Sequence, residues 1–256
     1  MAGGSFEDVL RASDTLGTWV SIGHPDVIEA AAYAGFDFAM IDAEHTPSSL
    51  ETIAGLVRAT EAAPGSMAVA VRVAWNDPVK IKRVLDIGLD GLMVPMIDDA
   101  SDARTFVDAT RYPPDGSRGV ASARASGHGT DFVEYVETGH ESLVRIAQIE
   151  SQSAVENAAE IAQTDGIDAL FVGPADLSAS LGVFAEWEAS EINEAVETVL
   201  EAGRTAGVPV GTLCVRAADI PDAVERGYDF LFAGKDTTTL IEGGQTLREI
   251  YKEENE

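Results

Sequence analysis

Two acidic residues, Glu150 and Asp176, are the residues of this 256-residue chain whose type and spacing best suit metal chemistry. Each follows a short apolar run, 143–149 or 169–172, that predicts a buried strand. Carboxylates are hard oxygen ligands, and two of them suit Mg²⁺, Mn²⁺ or Co²⁺ with water or substrate in the remaining positions. In a chain with 44 acidic residues, a strand-end Glu is as readily a loop cap or a surface ion-pair partner, so the spacing leaves both interpretations open.

Three other side chains near strand ends have types suited to catalysis. Arg72 interrupts an apolar run, where a guanidinium is costly to bury unless it is paired, and it could stabilise a developing enolate oxygen. His45 is the natural general base, and Asp42, three residues earlier, could orient its imidazole. We therefore expect proton abstraction and enolate stabilisation at one site.

Two further features adjoin the acidic pair. Gln148 is two residues before Glu150, so both side chains point to the same side of a strand. The segment 173–176 passes from a strand into a helix-like run, and its backbone N–H groups could bind a carboxylate.

The elements that must position these residues alternate along the chain. Apolar runs predict eight strands, at 17–20, 36–41, 67–73, 91–96, 143–149, 169–172, 208–213 and 230–233. Amphipathic runs predict eight helices, at 25–34, 48–62, 78–87, 100–110, 154–163, 191–206, 217–225 and 237–251. Eight βα units predict an α/β protein with one closed (β/α)8 TIM barrel over residues 1–256, whose active face is formed by the strand C-termini.

Glycine signals and one long loop complete this pattern. Gly35, Gly166 and Gly227 each begin a Gly–apolar–Asp triplet where a helix ends and a strand begins, as a left-handed helix cap requires. The segment 112–130 has no clear element, and a loop of that length in a compact domain is usually functional or disordered.

Composition limits the class of protein. The formal net charge is −27, with 44 acidic against 17 basic residues, and such a surface repels nucleic acid and anionic membrane. The four lysines among the 17 bases, with the acidic excess, are typical of a halophilic protein in a high-salt cytoplasm, although an ordinary acidic protein is the alternative. The single Cys214 fits a reducing cytoplasm, and no apolar run or basic N-terminal region suggests a membrane span or secretory signal.

Several motifs together resemble the HpcH/HpaI aldolase family, and the resemblance extends from about residue 17 to residue 240. The motifs are Ile41-Asp42-Ala43-Glu44-His45, Val71-Arg72-Val73-Ala74-Trp75-Asn76-Asp77-Pro78, Val94-Pro95-Met96, Thr110-Arg111-Tyr112-Pro113-Pro114, Gly116-Ser117-Arg118-Gly119, Gln148-Ile149-Glu150 and Gly173-Pro174-Ala175-Asp176-Leu177-Ser178.

The resemblance implies a specific architecture and activity. The fold would be a phosphoenolpyruvate/pyruvate-type TIM barrel whose last helix is swapped between subunits, assembled as a homohexamer, a trimer of dimers. The activity would be that of a class II aldolase producing pyruvate and an aldehyde from a 2-keto-3-deoxy sugar acid or a 4-hydroxy-2-oxo acid.

The resemblance also implies residue roles. Glu150 and Asp176 match the metal ligands, His45 the general base and Arg72 the transition-state stabiliser. Gln148 and Ala175 match substrate-binding positions, beside Gly173 and Pro174 of the same motif. Asp86 lies in the last turn of the predicted helix 78–87, where a carboxylate opposes the helix dipole, and it matches the acid that raises the basicity of His45.

Two segments depart from the family pattern. The run Ser122-Ala123-Arg124-Ala125-Ser126 continues into Gly127-His128-Gly129, and we expect this loop to shape the aldehyde end of the pocket. At the eighth strand, Lys235 stands where an apolar or small residue is expected.

Three alternative functions remain open from the sequence. A Schiff-base aldolase would need a lysine at the barrel mouth, which only Lys235 could supply. A coenzyme A thioester lyase of the citramalyl or malyl type would need basic residues for the nucleotide, which are few here. A non-catalytic barrel that binds small acids would bind metal and pyruvate without exchanging the pyruvate methyl protons.

Overall fold

Eight parallel strands pair in chain order, and the eighth pairs with the first, so the sheet closes into a barrel. The structure is a computed structural model that describes residues 5–255; residues 1–4 and 256 of the predicted 1–256 domain lie outside the described residues. The strands are β1 Gly17–Val20, β2 Phe38–Asp42, β3 Ala68–Arg72, β4 Gly91–Val94, β5 Val144–Ile149, β6 Ala169–Val172, β7 Val210–Cys214 and β8 Phe230–Lys235. The predicted (β/α)8 barrel is confirmed.

One helix precedes the first strand, one follows the last, and the other helices connect successive strands. In chain order the helices are α1 Phe6–Arg11, α2 Pro25–Ala34, α3 Leu50–Ala62, α4 Pro78–Leu85, α5 Ala100–Thr110, α6 Phe132–Thr138, α7 Gln152–Glu156, α8 Ala158–Ala162, α9 Pro174–Ser180, α10 Ser190–Ala206, α11 Ile220–Arg226 and α12 Asp236–Glu253. Every predicted helix is present, although the one predicted at 154–163 is divided into α7 and α8 at Asn157. No helix among residues 5–255 is long and apolar enough to cross a membrane.

Aromatic rings fill the barrel interior. Phe38, Phe230 and Phe232 lie edge-to-face with ring centroids 5.0 to 6.3 Å apart. Glycine is required beside two of these rings, because a Cβ at Gly17 or Gly211 would come within 2.1 Å of the ring of Phe38 or Phe230. The interior is therefore a packed core, which leaves substrate access only at the strand ends.

Helix α1, which the sequence pattern did not reveal, closes the N-terminal end of the barrel. Its Phe6 and Leu10 are buried and join the interior aromatic cluster, and the Phe6 ring lies 5.9 Å from that of Phe38. The C-terminal end of the barrel is the end at which a pocket can form.

The predicted Gly–apolar–Asp triplets have a further structural role. Gly35, Gly166 and Gly227 adopt left-handed φ angles of 89°, 90° and 84°, as predicted for helix caps. The Asp of each triplet also accepts a hydrogen bond from the backbone N–H at the start of the preceding strand, as Asp168 Oδ2 does from Arg145 N at 2.8 Å. These carboxylates fix the strand register at the end of the barrel opposite the site.

Candidate active site

The alternation of side chains along the strands brings polar residues into the barrel mouth. Because Phe38 and Met40 of β2 face the interior, Asp42 does too, and Ala68 and Ala70 place Arg72 on the same face. Likewise Val144 and Ile146 of β5 direct Gln148 and Glu150 inward. Asp42, Arg72, Gln148 and Glu150 are all buried.

Arg72 is held from two sides. Its Nε lies 3.1 Å from Asp42 Oδ1 and its Nη2 lies 2.9 Å from Asp42 Oδ2, which is a bidentate pair. Its guanidinium also stacks 4.7 Å above the ring of Trp19. Burial alone would raise the pKa of Asp42, but Arg72 and the backbone N–H groups of Glu44 and His45 outweigh it and lower the pKa. Arg72 is therefore a cation held in place at the inner end of the mouth by Asp42 and Trp19.

Asp42 does not contact the imidazole of His45, contrary to the sequence-based prediction. Its Oδ1 accepts the backbone N–H of His45 at 3.4 Å, and its carboxylate is otherwise engaged by Arg72. The nearest acid to the imidazole is Glu44, whose Oε2 lies 3.7 Å from His45 Nε2. The His45 side chain is 65% exposed at the rim, so it is free to approach a substrate.

Glu44 is a site residue that the sequence analysis did not select. Its Oε2 lies 2.9 Å from Arg72 Nη1, without the alignment of a hydrogen bond. Burial raises the pKa of Glu44, and Arg72 opposes the rise. The available signal was its spacing, since Glu44 is two residues after Asp42 and continues the inward face of β2 past the strand end.

Glu150 is the most perturbed acid of the site. It is 3% exposed, and burial raises its pKa to about 7 against the opposing effect of hydrogen bonds from the Gln148 side chain and the Met96 N–H. The charges of Glu44 and Asp176 raise the pKa further. A buried carboxylate that is acted on by the charges of two other carboxylates favours a bound cation.

Backbone geometry supports Glu150 in ways that no sequence motif indicates. Met96 has a left-handed φ of 54°, which is uncommon for a residue with a side chain, and its N–H donates to Glu150 Oε1 at 2.9 Å. On the other side, a Cβ at Gly173 would come 2.8 Å from Glu150 Oε2, so glycine leaves room for the carboxylate.

Asp176 lies in the first turn of α9, two residues after Pro174. It is exposed at the mouth, and its charge is near enough to act on both Glu150 and Glu44. Pro174 has no N–H, and the Gly173 N–H is bonded to Ile149 O at 3.1 Å. The Ala175 N–H at the start of the helix is therefore the group of the predicted carboxylate-binding segment that best suits an anion.

The donor set fits a divalent metal. Glu150 and Asp176 supply hard oxygen atoms, and the buried Gln148 Oε1 has no hydrogen-bond partner in the described part of the chain. Among residues 5–255, no three His, Cys, Asp or Glu side chains converge on one point. Such a site would have two carboxylate ligands and would depend on water or substrate for the others.

Asp86 and the loop 112–130, both predicted to contribute to the active site, lie at the N-terminal end of the barrel in the same chain, opposite the site. Asp86 follows the last residue of α4, and its Oδ1 accepts from Arg118 Nη2 at 3.0 Å. The loop 112–130 packs there too, since Arg124 Nη1 donates to Ile87 O at 2.7 Å. The expectation that the loop 122–129 shapes the aldehyde end of the pocket is wrong within one chain, because helix α5 returns the chain to the N-terminal end of the barrel before this loop begins.

Known proteins of similar sequence and structure share nearly the whole chain. The sequence profile of the HpcH/HpaI aldolase/citrate lyase family matches residues 15–243. A 4-hydroxy-2-oxo-heptane-1,7-dioate aldolase from Salmonella typhimurium is 38% identical over 245 residues, which are 95% of this chain and 92% of that protein.

Two solved structures have the same fold. An HpcH/HpaI aldolase/citrate lyase family protein from Burkholderia cenocepacia has a TM-score of 0.91 at 37% identity, covering 96% of this chain and 98% of the other. An HpcH/HpaI aldolase from Desulfitobacterium hafniense has a TM-score of 0.84 at 32% identity, covering 93% of each chain. With the site at the expected end of the same barrel, this chain belongs to the HpcH/HpaI aldolase/citrate lyase family and is a carbon–carbon lyase.

Proposed function

We propose that this lyase is a divalent-metal-dependent aldolase that reversibly cleaves a 4-hydroxy-2-oxo acid or a 2-keto-3-deoxy sugar acid to pyruvate and an aldehyde. The observation that carries the proposal is the buried Glu150 carboxylate, which is bonded to the Gln148 side chain and is acted on by the charges of Glu44 and Asp176. The adjacent Gln148 Oε1 has no hydrogen-bond partner among residues 5–255. The seven-carbon diacid named for the Salmonella relative would yield pyruvate and a four-carbon aldehyde ending in a carboxylate.

Glu150 and Asp176 would hold Mg²⁺, Mn²⁺ or Co²⁺, which when bound would polarise the keto oxygen of the substrate. Arg72 would donate to the same oxygen as negative charge develops there, and its pairing with Asp42 would keep the guanidinium in place. Gln148 and the Ala175 N–H would orient the pyruvate carboxylate. The bound metal ion and Arg72 would attract an anionic substrate, which the chain's net charge of −27 otherwise repels.

His45 would act as the general base. Its exposed imidazole would remove a proton from the pyruvate methyl group, and the resulting carbon would attack the aldehyde carbonyl to form the new carbon–carbon bond. The alkoxide of the aldehyde would then take up a proton. Cleavage follows the reverse order.

Proton exchange tests this function without knowledge of the aldehyde. We expect the methyl signal of pyruvate to disappear in D2O by NMR when the protein and Mg²⁺ are present. EDTA should abolish the exchange and renewed Mg²⁺ should restore it. Glu150→Gln should lack exchange, whereas Glu156→Gln, which neutralises an exposed acid on α7, should retain it. Full exchange in EDTA would exclude a metal-dependent mechanism, and binding of pyruvate without exchange would favour the non-catalytic alternative.

The proposed assembly is a homohexamer, a trimer of dimers, with α12 exchanged between subunits. None of the α12 residues is buried in the described chain, and Leu240, Leu247 and Tyr251 are each at least 70% exposed. Asp86 could then support His45 only from a neighbouring copy. Mixing inactive His45→Ala with inactive Asp86→Asn subunits should restore part of the activity if sites are shared, and none if each chain is self-sufficient.

A further inference from the structure

Lys235 is brought to the barrel interior by an irregularity in β8. Gly17 pairs with Phe232, but Trp19 pairs with Lys235, so β8 has one extra residue between the two pairs. Gly234 takes up the irregularity with a φ of 75°. Without this β-bulge, Gly234 would pair with Trp19 and Lys235 would face the outer layer. The bulge places Lys235 on the face of the sheet that carries Trp19.

Hydrogen bonds fix the backbone on both sides of Lys235. Thr18 Oγ1 donates to Gly234 O at 3.3 Å. Asp236 Oδ2 accepts the backbone N–H groups of Ser21 and Ile22 at 2.8 and 2.7 Å. The Asp236 carboxylate is therefore bonded to backbone donors and forms no ion pair with Lys235.

Lys235 is partly buried, yet its ammonium has no hydrogen-bond or ion-pair partner among residues 5–255. Lysines that are drawn toward a protein interior usually have a partner, because the unpaired charge is costly to desolvate. In a chain with 44 acidic residues, a partnerless cation at the mouth indicates that the anion it pairs with comes from a ligand.

The side chains around Lys235 indicate the polarity and charge of a ligand that would fit there. The interior face from β6 through β7 to β1 is apolar at this level, with Phe171, Leu213 and Trp19. Arg72, the other inward cation of the site among residues 5–255, is paired with Asp42 and Glu44. A molecule that extends from the pyruvate position toward β8 would therefore cross an apolar surface and end beside one positive charge.

We propose that Lys235 binds the terminal carboxylate of the aldehyde substrate and makes the enzyme selective for acid-bearing aldehydes. This inference rests on the proposed aldolase function. The pyruvate half would be held by Arg72 and the acidic pair, and the aldehyde half by the apolar surface and Lys235.

Two aldehydes of equal chain length test this assignment. The kcat/KM for condensation with pyruvate is measured for 4-oxobutanoate and for butanal, with Mg²⁺ present and at low ionic strength. We expect Lys235→Met to reduce the ratio of the two kcat/KM values, acid over neutral, at least tenfold. Lys235→Arg should keep most of the ratio because it keeps the charge. Lys80→Met removes an exposed cation on α4 and should leave the ratio as in the wild type.

The outcomes separate this inference from the proposed function. An unchanged ratio in Lys235→Met would overturn the role of Lys235, even if both kcat/KM values fell together. Trapping of pyruvate on Lys235 by borohydride, seen as a mass increment, would also overturn it, since the amine would then be a Schiff-base nucleophile. Absence of both condensation and methyl-proton exchange in the wild-type protein would instead refute the aldolase function.

Discussion

Replacement of Glu150 by glutamine in the metal-free protein should remove a specific pH dependence of stability. Glu150 is buried, and burial holds its pKa at about 7 in the folded chain, compared with an ordinary value of 4.5. The folded protein therefore binds this proton more tightly than the unfolded chain does. The glutamine side chain of the Glu150→Gln variant would resemble the protonated carboxyl in size and in lacking a charge.

The magnitude follows from the difference between the two pKa values. Each pKa unit corresponds to about 1.36 kcal/mol, so ionising Glu150 in the folded state costs about 3 kcal/mol. The stabilisation from the proton is fully present below pH 4.5 and is lost as the pH rises to about 7. Raising the pH above about 7 should therefore lower the unfolding free energy of the metal-free wild type, relative to that of Glu150→Gln, by about 3 kcal/mol compared with its value in acid.

Urea unfolding in EDTA, monitored by circular dichroism at several pH values from about 5 to about 8, measures this effect. The quantity of interest is the difference in unfolding free energy between the wild type and Glu150→Gln at equal protein concentration. Glu156→Gln provides the control, because its exposed carboxylate should give a nearly constant difference.

A difference that stays flat across this pH range would refute the reasoning, since it would mean that the Glu150 carboxylate is hydrated. A change of the opposite sign would mean that positive groups dominate its surroundings. With Mg²⁺ in place of EDTA, the wild type should gain stability as the pH rises and the variant should not, because only the ionised carboxylate binds a cation.

Three further outcomes follow from the structure. Asp42→Asn should reduce the unfolding free energy by about 3 kcal/mol in urea titrations, because it leaves the buried Arg72 guanidinium without its bidentate partner; an unchanged midpoint would contradict the pairing. Gly173→Ala should weaken Mg²⁺ binding by calorimetry about tenfold or more, because its Cβ would displace the Glu150 carboxylate, and equal affinity would show that the carboxylate can shift freely. The melting temperature should rise as KCl is added, because salt screens the net charge of −27, and a temperature independent of salt would contradict the halophilic interpretation.

The interior positions of the site were predictable from residue alternation. Arg72, Gln148 and Glu150 stand at inward positions of strands that the apolar pattern located to within a few residues. Glu44 stands at the next inward position past the end of β2, so residue alternation also indicates its side. Helix α1 was missed because six residues with three apolar side chains are too short to establish a helical period, and its burial depends on the open end of the barrel.

The partners of the polar residues were not predictable. Asp42 lies three residues from His45 in sequence, but its carboxylate pairs with Arg72, which is 30 residues away, because β2 and β3 are neighbours in the barrel. Asp86 and the loop 112–130 lie in sequence next to strands that form the site, yet the helices before them carry the chain to the other end of the barrel.

By itself, the sequence predicted the order of the elements and the closed barrel, because these depend on periodicities that are local in the chain, and the resemblance of its motifs to the family selected Glu150 and Asp176 as candidate metal ligands. Only the tertiary structure decided the raised pKa of Glu150, the left-handed backbone of Met96 that directs its N–H to Glu150, and the inward placement of Lys235. Each of these depends on burial, backbone conformation or strand register, and those quantities arise only when distant segments pack together.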